Sequence, residues 1–227
     1  MSAERALIVI NPNSSTHVTE GIDRAIAPLR PLGIPIRCVT LAEGPSGIES
    51  QAQADETIAP MLALAAGLEA EARCFVIACF GDPGLHALRD RTDLPVLGIQ
   101  ESAVMTALTL GQRFGVIAIL DRSIPRHLRA FGAMGVMQRF AGDRAIGRGV
   151  GDLAEPGETL ARMTEIGRDL RDRDSADVLI LGCAGMADYR PALQDALGIP
   201  VVEPCQAAAA MAIGQITLRE AALTTES

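Results

Sequence analysis

The chain has 227 residues, a net charge of −8, 48% hydrophobic residues and only 3% aromatic ones. That length suits one large α/β domain or two small ones with a sizeable core. The acidic balance and the scarcity of stacking rings disfavour nucleic acid as a partner. All 20 positive residues are arginine, so chemistry that needs a lysine amine, such as a pyridoxal phosphate Schiff base, is excluded.

In chain order, residues 6–10 form an apolar run that reads as a parallel strand buried on both faces. Asn11-Pro12-Asn13-Ser14-Ser15-Thr16 follows as a polar loop ending in a helix cap. A helix is predicted to about Leu29, closed by Pro31 and Gly33. Residues 34–41 form a second strand, 43–47 a loop, and 51–72 an Ala-rich helical stretch. Next comes an apolar strand that ends Ala78-Cys79-Phe80-Gly81-Asp82-Pro83-Gly84. Phe114 to Leu120 is another strand, with Asp121-Arg122-Ser123 as its loop. Val178 to Leu181 leads into Gly182-Cys183-Ala184-Gly185-Met186-Ala187.

The second half thus repeats the first. Cys79 lies 16 residues before Pro95, and Cys183 lies 17 before Pro200. Strands alternating with helices predict an α/β fold of two pseudo-symmetric domains, each a parallel sheet flanked by helices. The expected division is 1–99 plus 208–227 for the first domain and 100–207 for the second. Ligands in such folds bind at the carboxyl ends of the strands. The Asn11, Cys79, Asp121 and Cys183 loops all lie there, so the active site is expected in the cleft between the domains.

Two thiols placed by pseudo-symmetry suit removal of a proton from one face of a carbon and delivery to the other. Each precedes an expected helix start, where backbone N–H groups and the helix dipole favour a thiolate. Cys38, Cys74 and Cys205 read instead as small buried hydrophobes. Amides around Phe80-Gly81 and Ala184-Gly185 are candidates to cradle substrate oxygens. Asn11 or Asn13 is expected to touch substrate. Asp82 is read as the cap of the helix after Cys79, with Pro83 in its first turn.

His17, His86 and His127 lack metal-ligand spacing, no GxGxxG follows a strand and no Walker loop occurs. No metal or other cofactor is therefore expected. The N-terminus shows no secretory leader, and no apolar run approaches the ~20 residues that span a bilayer. Five cysteines without dense spacing point to free thiols in a reducing cytoplasm. The expected partners are a small-molecule substrate and further copies of the chain, a homo-oligomer, with no nucleic acid and no membrane.

The motifs Ile10-Asn11-Pro12-Asn13-Ser14, Ile77 to Leu85 and Leu181 to Ala187 make the chain resemble the hydantoin and allantoin racemases of the aspartate/glutamate racemase superfamily. The likeness covers nearly the whole chain. It implies cofactor-independent racemisation at C5 of a hydantoin-type ring, with Cys79 and Cys183 as acid/base thiols. Glutamate racemases usually carry Asn-Thr and Thr-His after their two cysteines; here Phe80-Gly81 and Ala184-Gly185 stand there, which argues against a free amino acid. Two departures concern the substrate side chain. Gln51-Ala52 replace a frequent His-Tyr pair, and Ile119 stands in a strand end that often carries threonines, which places it beside substrate. Racemases or isomerases of other acidic C–H substrates, a redox protein pairing the two thiols, and a non-catalytic metabolite-binding protein stay open as rivals.

Overall fold

The computed structural model describes residues 5–154 and 156–224. The extreme ends of the expected first domain, 1–4 and 225–227, lie outside the described residues.

Among the described residues, eight strands form two parallel sheets. The first contains β1 (Ala6–Asn11), β2 (Ile36–Thr40), β3 (Ala72–Ile77) and β4 (Val96–Gly98) in the order β2-β1-β3-β4. The second contains β5 (Phe114–Ala118), β6 (Phe140–Ala145), β7 (Val178–Leu181) and β8 (Val201–Val202) in the order β6-β5-β7-β8. The two orders are the same, so the sequence repeat is a repeat of topology. The central strands β1, β5 and β7 are buried at every residue, as strands covered on both faces require.

The nine α-helices among the described residues are α1 (Thr16–Ile26), α2 (Gln51–Glu56), α3 (Ile58–Leu68), α4 (Leu85–Arg91), α5 (Ile99–Leu110), α6 (Ile124–Ala133), α7 (Pro156–Asp172), α8 (Arg190–Leu197) and α9 (Pro204–Thr224). Ser15 caps α1, accepting from the Val18 N–H. The α-helix stops at Ile26 rather than Leu29. The chain tightens into a 3-10 helix, Ala27–Leu32, where Pro28 and Pro31 each remove an N–H donor. The stretch 51–72 breaks at Thr57 into α2 and α3.

Alternation along the strands sorts the core into layers. Leu7, Val9, Cys74 and Val76 share one cluster with Phe114, Val116, Val178 and Ile180 of the other sheet, together with residues of α1, α5 and α9. The opposite faces carry separate cores. Ile8, Ile10, Phe75 and Ile77 pack with Met61, Leu85 and Leu88. Ile117, Leu179 and Leu181 pack with Met163, Leu170 and Leu193. The shared layer ties the halves together. Within it, α5 follows β4 yet lies against β7 and β5, while α9 follows β8 yet lies against β3 and β1, and the two helices pack on each other. Among the described residues no helix is long and apolar enough to cross a membrane.

Candidate active site

The carboxyl ends of β1, β3, β5 and β7 converge on one cavity. Asn13, Ala78, Cys79, Phe80, Ile119, Cys183, Ala184 and Gly185 line it, with Val18, Ile48, Ser123, Arg126, His127, Val150 and Gly182. Of the residues singled out in the sequence, Asn13, Cys79, Phe80, Ile119, Cys183, Ala184 and Gly185 therefore meet at one point. Gly81 lines an adjoining chamber instead. Asn11 does not line the cavity. Its Nδ2 donates to Asn13 Oδ1, the Ser15 carbonyl and Thr19 Oγ1, and its Oδ1 accepts from the Asn13 N–H. Asn11 thus builds the loop that presents Asn13.

The space between the thiols is tight, about 30 Å3. An engineered apolar cavity that binds benzene measures about 150 Å3, so this space alone is smaller than a substrate ring. Two chambers flank this space. One of about 230 Å3 lies behind Cys79, bordered by Gln51, Asp55, Asp82, Arg126 and Arg129. The other, about 610 Å3, lies on the Cys183 side, where Val18, Val150, Leu153, Leu160 and Tyr189 give it an apolar wall.

Both thiols are half-buried and unpaired by disulfide. Burial is the largest influence on each: it pushes Cys79 up to about 12 and Cys183 up to about 11. The expectation that helix starts would hold both as thiolates is corrected by this. No helix begins at Cys79: five residues separate it from Leu85, and the seven-residue α4 opens on Gly84 in the left-handed region, φ 71°. Cys183 does precede a 3-10 turn, Ala184–Tyr189, and the Gly185 N–H bonds its sulfur and lowers its pKa, but desolvation outweighs it. The thiols also feel each other, since charge on Cys183 raises Cys79. Arg126 acts in the opposite sense on Cys79, while Glu49 and Glu203 raise Cys183. The pair therefore favours at most one thiolate at a time, which is the state a donor and an acceptor of protons need.

Asp82 caps a helix, but not the one expected. Its carboxylate oxygens accept from the N–H groups of Gln100 and Glu101, each at 2.9 Å, in the first turn of α5. Its backbone is held at φ 46°, and Gly98 leaves the space its carboxylate occupies. Burial pushes this carboxyl up to about 7.

Sequence reasoning missed the polar face of α6 and the chain that crosses to it. His127 and Asp143 are both 1% exposed and bonded through Nδ1 and Oδ2 at 2.7 Å. The Phe80 ring meets His127 edge to face, with centroids 4.9 Å apart. Across the cleft, Glu49 accepts from Arg122 and from the Val150 N–H, and Gln51 Oε1 accepts from Arg129. The signal was available in the repeat: α6 follows β5 as α1 follows β1, so its first turn had to face the same cavity as Asn13 and Val18. Among the described residues no group of three or more His, Cys, Asp or Glu is arranged to hold a metal ion.

Residues 7–212 match the family described as Asp/Glu/Hydantoin racemase. The chain is 36% identical over 197 residues to the hydantoin racemase of Pseudomonas sp. (strain NS671), covering 86% of this chain and 79% of that one. It is 33% identical over 218 residues to the hydantoin racemase of Paenarthrobacter aurescens, covering 93% and 91%. Its fold superposes on allantoin racemase from Klebsiella pneumoniae with a TM-score of 0.88, at 30% identity, over 95% of this chain and 89% of that one. The chain belongs to the Asp/Glu/hydantoin racemase family and is a racemase.

Proposed function

We propose that the protein inverts C5 of a 5-monosubstituted hydantoin without a cofactor, using Cys79 and Cys183 on opposite faces of the ring carbon. The observation that carries this reading is the placement of two half-buried thiols at equivalent ends of β3 and β7, lining one cavity. Cys183, the more acidic of the two, is the thiolate that starts from one enantiomer; Cys79 returns a proton from its thiol. For the other enantiomer the roles exchange: Cys79 starts as the thiolate that takes the C5 proton, and Cys183 returns a proton from its thiol. Each acid or base contributes roughly 10²–10⁴-fold. The chamber on the Cys183 side has an apolar wall that suits an alkyl or aryl substituent on C5, and polar side chains of His17, Arg24 and Asp188 that suit a ureido group. The same reading takes 1–99 plus 208–227 and 100–207 as the two domains, and a homo-oligomer in the cytoplasm as the working form.

Solvent deuterium exchange at C5 tests it. L- and D-5-benzylhydantoin are incubated in deuterated buffer with wild type, Cys79→Ser and Cys183→Ser, with buffer exchange subtracted. Wild type racemises both; each variant loses racemisation and exchanges mainly one enantiomer, a different one for each. If both variants exchange the same enantiomer, the thiols do not flank the carbon and the two-base reading fails.

A further inference from the structure

We infer that Arg126 is a catalytic residue: it holds the carbonyl oxygen that becomes negative as the carbon acid loses its proton. The inference rests on the racemase chemistry proposed above and adds a residue to it.

Three arginines lie along α6 and the 3-10 turn, Asp121–Ser123, that leads into it, and they are not equivalent. Arg122 is bonded to Glu49, and Arg129 donates to Gln51 Oε1 at 2.5 Å. Both partners belong to the opposite wall, so the outer two arginines clasp the cleft. Arg126, between them, borders both the space between the thiols and the chamber behind Cys79. Its Nη2 reaches only Ser123 Oγ, at 3.5 Å, and its Nη1 is a buried atom with no protein partner. A guanidinium carries donors and no acceptors. A buried donor left unpaired costs about 1–3 kcal/mol, and such exceptions in a folded protein ask for an explanation. An acceptor on a bound ligand supplies one.

The Gly185 N–H lowers the pKa of Cys183, so it acts on the thiol. Arg126 lies within electrostatic reach of Cys79, and Arg122 and Arg129 add positive charge around it. When the thiolate takes the proton, an S–H bond forms. The C–H pair becomes the C4–C5 double bond, and the carbonyl π pair moves onto oxygen. Negative charge passes from sulfur to oxygen, and a fixed cation beside both stabilises the product of that step. Return of a proton from the opposite thiol restores the carbonyl. The guanidinium stays protonated throughout. Its aim is set by the helix it stands on, which the His127–Asp143 bond and the Phe80 ring fasten from below.

The test uses Arg126→Met in the full chain, with 5-benzylhydantoin turnover followed against pH and binding of barbiturate, a planar ring that is an enolate anion at neutral pH, measured by calorimetry. R126M is expected to lose about 10²–10³-fold in kcat at every pH and to bind barbiturate at least about tenfold more weakly than wild type, because a charged donor is gone. If the lost activity returns as pH rises, Arg126 only tunes Cys79 and the inference is overturned. Unchanged kcat or unchanged barbiturate affinity overturns it as well. Should R126M not fold, Arg126→Gln, neutral and of similar shape, takes the same two measurements with the same outcomes. If wild type racemises no hydantoin yet binds barbiturate through Arg126, the proposed substrate is wrong while the oxyanion site stands.

Discussion

The raised thiols make a quantitative prediction about chemical modification. A thiol at its ordinary value of 9.0 is about 3% thiolate at about pH 7.5, whereas one at about 11 is about 0.03% and one at about 12 about 0.003% ionised. The more basic thiolate is the better nucleophile, by roughly 0.4–0.5 log units per pKa unit. Combining the two, iodoacetamide should alkylate Cys183 about tenfold and Cys79 about fortyfold more slowly than free cysteine near neutrality. The rate should rise about tenfold per pH unit and keep rising to about pH 10, past the point where free cysteine levels off. The assay is residual racemase activity against time at each pH, with peptide mapping of the first site labelled, expected at Cys183. A substrate analogue should protect it. A rate that is already flat between about pH 6 and 8 would mean a thiolate near neutrality; the helix-start expectation would then stand, and dominance of burial would be refuted.

Two further predictions concern the scaffold. Asp82 holds its proton more tightly in the folded chain, with a pKa of about 7, than in the unfolded one. The fold therefore binds more protons between the ordinary carboxylate range and neutrality, and loses stability as pH rises through that window. Asp82→Asn removes the titration. In calorimetric melts from about pH 4 to 8 the variant should gain on wild type by an amount on the order of a few kcal/mol, and a constant gap would refute the assignment. His127→Leu strands the buried carboxyl of Asp143, whose pKa burial already raises, and should cost about 3–5 kcal/mol in urea unfolding. His127→Leu with Asp143→Leu should recover most of that; a double variant no better than the single one refutes an unpaired charge as the cause.

What the sequence made legible was local. Apolar runs such as Leu7 to Ile10 and Val178 to Leu181 are short and bounded by turn residues, so strands, order and repeat could be read directly. Cys79 and Cys183 stood out because each ends such a run. What stayed hidden depended on distant contacts. Asp82 caps a helix whose first turn is 18 and 19 residues away, and nothing near it distinguishes that from capping its own neighbour. Arg126 looked like one of 20 scattered arginines until the fold turned one face of α6 inward. The expectation of thiolates failed for the same reason: the strand end at each thiol is visible in sequence, whereas the helix start at Cys79 did not form there and desolvation is a property of everything packed around the sulfur.

The crossing of α5 and α9 has a consequence for the chain's ancestry and its cooperativity. Each half ends in a helix that covers the sheet of the other half. A single half made alone would carry an uncovered sheet face and an unattached terminal helix. Two such copies would satisfy each other by exchanging those helices, giving a symmetric dimer by the low-cost route of swapping an identical element. Joined end to end, the same exchange becomes internal. The two halves are then woven, so neither can melt without stripping the cover from its neighbour, and unfolding of one sheet carries the other with it.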